Sequence, residues 1–137
     1  MVVIPADPRL FRLPEQHEER PRLLGSHAAE SGLYFWPRRR RCPVTGGAVD
    51  DCELGPHGEL YAWTFLHVPR MGNISFGETG GYGVGQIDLP EGVRIQAPLV
   101  GTEDDWQIGQ HMALTTFPVG EDDEGNDLVT FRFEAVP

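Results

Sequence analysis

The sequence predicts a mainly β protein: a five-stranded antiparallel barrel over residues 58–137, preceded by an N-terminal arm (1–30) and a small hairpin-like knuckle (31–57). Two observations carry this expectation. Downstream of Gly58 the chain reads as short apolar runs separated by glycine-rich or acidic turns, and no long helical pattern intervenes that could serve as a parallel crossover. The chain has 137 residues, about 39% of them apolar, which is enough for one core only.

The arm is polar and broken by Pro5, Pro8, Pro14 and Pro21. A short helix is expected between Pro14 and Leu24, although Glu15 to Arg20 is charged almost all round and would need a neighbouring surface to stay folded. In the knuckle, the aromatic run Tyr34, Phe35 and Trp36 ends at Pro37 and is followed by Arg38, Arg39, Arg40 and Arg41. The turn-forming stretch Cys42-Pro43-Val44-Thr45-Gly46-Gly47 comes next. The barrel strands are expected at 60–68, 82–89, 93–100, 111–119 and 128–136. The last is clearest, because Val129, Phe131, Phe133 and Ala135 alternate with Thr130, Arg132 and Glu134. Ile95, Ala97 and Leu99 alternate in the same way with Arg94 and Gln96.

Charge and composition exclude several activities. Twenty-one acidic residues against eleven basic ones give a formal net charge of −10, which opposes the phosphate backbone of nucleic acid at long range. All eleven basic residues are Arg, so lysine Schiff-base chemistry and a Walker A loop are both closed. Two cysteines are too few for a disulfide scaffold, and no run approaches the roughly 20 apolar residues of a membrane span. Residues 1–7 lack the basic region and apolar run of a secretion signal, so a cytoplasmic location is expected.

Catalytic candidates are sparse. None of the histidines (17, 27, 57, 67 and 111) forms the i, i+4 pair of a zincin, and neither cysteine lies in a nucleophile motif. Cys52 follows Asp50 and Asp51, whose charge should suppress its thiolate. The acidic stretch 121–127 lacks the ligand spacing of an EF-hand and reads as a hydrated turn. No catalytic residue is expected on this chain. The glycine-dense segment Met71 to Gly85 reads as a mobile connection, or as a loop that docks on a partner through Phe76 and Tyr82.

The order of features resembles the DUF35 family: Leu24-Gly25-Ser26, then Ser31 to Arg38, Cys42-Pro43-Val44-Thr45-Gly46-Gly47, and Gly58 to Thr64. Gly81 to Leu89, Glu91-Gly92-Val93-Arg94 and Trp106-Gln107-Ile108-Gly109 follow in the same order. The resemblance implies a rubredoxin-like zinc ribbon followed by an OB-fold barrel. It places Ala28, Ser31, Cys42 and Thr45 at the four metal-ligand positions, of which only one is a cysteine. Alanine has no donor and neutral hydroxyls bind Zn²⁺ poorly, so no zinc is expected, and the ribbon should be degenerate. A makeshift set of His27, Cys42 and Cys52 is the alternative.

The resemblance further implies a non-catalytic accessory subunit of a thiolase-like enzyme acting on acyl-CoA. It looks most like the subgroup that cleaves a steroid side-chain β-hydroxyacyl-CoA by a retro-aldol step, with a lipid-transfer-protein-type partner in a hetero-oligomer. A thiolase or acyltransferase partner is the alternative. Tyr34, Phe35, Trp36 and Arg38 to Arg41 are then interface candidates, and the four arginines are candidates for the CoA phosphates. The CoA thioester is expected as substrate of the complex, with no cofactor on this chain. A rival from another class is an OB module stacking single-stranded nucleic acid on Tyr61, Trp63 and Phe65, read as sharing one strand face.

Overall fold

The structure is a computed structural model that describes residues 2–16, 19–68, 70–71, 74–75 and 80–137. Five strands close on themselves: β6 (His57–Leu66), β9 (Tyr82–Asp88), β10 (Arg94–Leu99), β11 (His111–Glu121) and β12 (Asp127–Ala135). The ladder runs β6–β9–β10–β12–β11 and returns to β6. All neighbours are antiparallel except β10 and β12, which meet in parallel at Leu99 and Phe133. This five-stranded Greek-key closure is the OB barrel that the resemblance implies. Strand β1 (Val3–Pro5) adds to the outer edge of β12 in parallel, with Val3 opposite Asp127.

Alternation decides which side chains fill the barrel. Ile87 on β9, Ile95 and Leu99 on β10, Met112 and Leu114 on β11, and Phe133 on β12 are all buried. Trp106 enters the same core from the loop after β10, where a single 3₁₀ turn (Glu103–Asp105) is pinned by Thr102 N–H donating to Asp105 Oδ2 at 2.7 Å. Its ring lies over Gly83: a Cβ there would stand 2.0 Å from Trp106 Cη2. Gly85 is likewise hemmed in by Leu99 and Leu60. These glycines are therefore strand residues that admit neighbours, not parts of a mobile connection as expected for 71–85. Upstream of them, β7 (Arg70–Met71) pairs with β8 (Ile74–Ser75).

The N-terminal third forms a second sheet around β3 (Arg22–Ala28). β5 (Asp50–Leu54) pairs along one edge of β3; β2 (Phe11–Arg12) and β4 (Leu33–Phe35) share the other. This corrects the expected helix between Pro14 and Leu24. Among the described residues that stretch carries a turn, Glu19 N–H donating to Gln16 O, and then strand from Arg22. The reason is physical: Glu15, Gln16, Glu19 and Arg20 offer no apolar face to bury, whereas Leu23 becomes fully buried in a strand between Phe11 and Leu54. His17 and Glu18 lie outside the described residues.

The two sheets share one core. Phe11 and Trp36 each meet the barrel's Phe131 edge to face with ring centroids 5.5 Å apart, and Trp36 Nε1 donates to Leu10 O at 2.9 Å. Arg20 also reaches the barrel, donating to Leu114 O at 3.1 Å and pairing with Glu134 at 2.9 Å.

Candidate functional site

The four positions assigned to metal ligands lie in two like turns. Gly32 N–H donates to Ala28 O at 2.7 Å, and Gly46 N–H donates to Cys42 O at the same distance. Gly32 and Gly46 both take left-handed φ values near 75°, which favours glycine at each. Between the turns, Ser31 Oγ lies 3.5 Å from Cys42 Sγ, and Thr45 also hydrogen-bonds the sulfur. Ala28 is fully buried. The set is thus one thiol, two hydroxyls and a methyl group, which does not fit a tetrahedral zinc site. His27 packs its ring on Tyr34 and Cys52 sits on β5 opposite Gly25, so neither joins Cys42; among the described residues no three His, Cys, Asp or Glu side chains are grouped for a metal.

Hydrogen bonds from Thr45 and Ser31 hold the Cys42 thiol down to about 7, which the sequence did not reveal. Cys52 is shifted up, first by burial and then by Glu91 and Asp51; the expected suppression holds, but Asp51 is the smallest of these causes.

Around the end of β4 the structure gathers a basic hollow of about 500 Å³, lined by Arg9, Leu10, Pro37, Arg38 and Arg40. Of the run 38–41, Arg38 and Arg40 line it and Arg39 and Arg41 do not. Arg39 is fixed by its backbone N–H donating to buried Ser26 Oγ at 2.8 Å, and Arg41 reaches Gly46 O at 3.3 Å. Arg38 is 3.5 Å from both Asp51 Oδ2 and Arg9 O, and Arg9 is held by a two-pronged pair with Asp7. Arg40 has no hydrogen-bond or ion-pair partner among the described residues. Arg9 was invisible to sequence reading: it lies far upstream, and tertiary contacts such as the Trp36–Leu10 and Arg38–Arg9 bonds bring it to the arginine run.

The aromatic candidates divide. Trp36 and Tyr34 are half-buried and packed against the shared core. Phe35 is half-buried on β4, opposite Ser26. Tyr82 is half-buried and lines a separate hollow of about 610 Å³ on the outer face of β6, β9 and β10, with Thr64, Leu66, Val84 and Gln96. Phe76 lies outside the described residues. Tyr61, Trp63 and Phe65 do not share a face. A bulge between Leu60 and Ala62 leaves Tyr61 exposed beneath the Arg94 guanidinium, 3.4 Å from its ring centre, while Trp63 and Phe65 turn to Trp106.

With this geometry established, the comparisons with known proteins decide the family. Residues 52–117 match the family described as ChsH2, C-terminal OB-fold domain. Over these residues the chain carries an OB-fold domain of the DUF35/ChsH2 family. A solved structure titled Ltp2-ChsH2(DUF35) aldolase has a chain 26% identical, superposing with a TM-score of 0.62 over 83% of this chain and 84% of that one. Benzoylsuccinyl-CoA thiolase subunit BbsA of Thauera aromatica is 27% identical over 117 residues, 85% of this chain and 78% of BbsA. A DUF35 domain-containing scaffold protein of Methanothermobacter thermautotrophicus is 25% identical over 123 residues, 87% of this chain and 89% of its own. The likenesses thus take in the ribbon sheet as well as the barrel.

Proposed function

We propose that this DUF35 protein is a non-catalytic accessory subunit of a thiolase-like enzyme acting on acyl-CoA, most specifically one that cleaves a β-hydroxyacyl-CoA of a steroid side chain by a retro-aldol step. The observation that carries the reading is the likeness, over more than four-fifths of both chains, to the DUF35 chain of an Ltp2-ChsH2 aldolase. In such a step the Cα–Cβ bond breaks, the β-hydroxyl loses its proton and becomes a carbonyl, and the electron pair left on Cα takes up a proton. Acid and base are assigned to the partner. The likeness to a thiolase subunit supports the alternative of a thiolase partner with different acyl-CoA chemistry. A cytoplasmic location belongs to the same proposal.

On this reading the hollow of Arg9, Arg38 and Arg40 faces the partner, and its guanidinium groups meet the CoA phosphates. Arg40 is the strongest candidate, because Arg9 and Arg38 already have carboxylates beside them. Purification from the host should return a thiolase-like protein in stable complex; a chain that elutes alone at native abundance overturns the accessory role. Within the complex, Arg40→Gln should weaken CoA-ester binding about tenfold, the usual scale of a charge-assisted hydrogen bond, and Arg41→Gln should leave it unchanged. Equal affinities reject the phosphate role while leaving the partner assignment intact.

A further inference from the structure

A pair of histidines at the seam of β6 and β11 belongs to none of the foregoing. His57 opens β6 and His111 opens β11, and the two strands pair antiparallel through only three residues each: His111 faces Glu59, Met112 faces Gly58 and Ala113 faces His57. Because residues two apart share a face, His57 and Glu59 both point outward, with His111 directly across from Glu59 and diagonal to His57. All three side chains are exposed. The two rings converge until His111 Nε2 lies 3.1 Å from His57 Nδ1.

That separation matches the bite of a metal chelate. Two imidazole nitrogens each about 2.0–2.1 Å from one cation stand about 2.9 Å apart at a right angle and about 3.3 Å apart at the tetrahedral angle. Without a metal the same spacing is a hydrogen bond in which one ring donates and the other accepts. Chelation requires the tautomers in which both of these nitrogens carry a lone pair. The third donor is Glu59, whose carboxylate has no hydrogen bond or ion pair among the described residues. It stands in register between His111 on β11 and Asp88 on β9. Asp88 is engaged by Arg94 at 2.7 and 3.2 Å, so it contributes negative field and not a ligand. These groups line a hollow of about 460 Å³ with Leu89, Pro90 and Gly109, with space for a cation and its waters.

We propose that His57, His111 and Glu59 bind one first-row transition-metal dication of the zinc, nickel or copper type, clipping β6 to β11 where the barrel closes. Two imidazoles and one carboxylate suit these ions, whereas calcium and magnesium require all-oxygen shells. Among the described residues no three such side chains stand within reach of one ion, so the histidine pair is the pre-formed part of the site and Glu59 has to turn toward it. His57 is shifted toward the neutral, ligating form by burial first, then by His111, Arg20 and Arg22. The positive field of the arm is moderated, since Arg20 is paired with Glu134 at 2.9 Å. Arg22 donates to Gly55 O at 2.9 Å. The proposal does not depend on the partner reading.

The test uses the full chain without a polyhistidine tag, titrated calorimetrically with zinc or nickel chloride at about pH 7.5, where imidazole is neutral. One saturable equivalent, accompanied by a rise in melting temperature, is expected. His57→Asn and His111→Asn should each weaken it about tenfold or more, Glu59→Gln should weaken it less, and Cys42→Ser should leave it unchanged. In the unsubstituted chain, the ring resonances of His57 and His111 should move together on adding zinc, which keeps the test valid if a variant misfolds. Absence of saturable uptake, uptake that survives removal of both histidines, or uptake lost with Cys42 overturns the site.

Discussion

The ribbon sheet and the barrel solve the problem of a small domain in opposite ways. The barrel closes its ladder, pairs each of its five strands on both sides, and fills its inside largely by alternation, so Ile87, Leu114 and Phe133 are all fully covered. The ribbon has short strands, an acidic exposed β5, and turns held by backbone bonds around a thiol and two hydroxyls. What it lacks in self-contained core it takes from the barrel through Phe131, on which both Phe11 and Trp36 rest. A ribbon without a fitting metal set can therefore be ordered if a larger neighbour supplies apolar surface.

The sharpest way to break this dependence is Phe131→Ala, expected to destabilise the whole chain by about 3–5 kcal/mol in a denaturant titration. Amide exchange should show β3 and β5 losing protection before β9 and β10. Equal loss in both sheets would mean that the ribbon does not lean on the barrel. Next in size is Gly83→Ala, which drives a methyl group into Trp106 and should cost about 1–3 kcal/mol, with the Trp106 fluorescence shifted. An unshifted spectrum and unchanged stability would remove the close approach.

Smaller effects come from titration. An ultraviolet thiolate band with a midpoint of about 7 is expected, absent from Cys42→Ser and retained in Cys52→Ser; a midpoint near 9 would show that Ser31 and Thr45 do not stabilise the thiolate. Since the folded-state value lies below the unfolded one, this contribution is complete above about pH 9 and is lost as pH falls through 7. The least effect belongs to the barrel: His57, also shifted down, contributes stability that is present above its unfolded value of about 6.5 and fades on acidification below it. In His57→Asn that slope should flatten, as read from melting temperatures between about pH 5 and 7.

The barrel was the legible half. All five expected runs overlap the observed strands, because a half-buried strand writes its two faces into alternate residues, as 129–135 do. The ribbon was not. β3 holds Gly25 and Ser26 where β-branched residues would signal a strand, and both are explained only by tertiary neighbours. A Cβ at position 25 would meet Phe35 O at 2.5 Å, and Ser26 is buried to hold the backbone of Arg39. At the candidate site, the arginine run and the four knuckle positions could be found from residue order. Arg9 could not, nor could the division of Tyr61 from Trp63 and Phe65, because a single bulge reverses the facing of everything beyond it.

The paired turns at Ala28 and Cys42 separate the shape of this ribbon from its mineral supply. Backbone bonds, not an ion, close these two turns, so a shortage of zinc would leave them as they are. Substituting thiols at positions 28, 31 and 45 would ask the same backbone to accept the ion again.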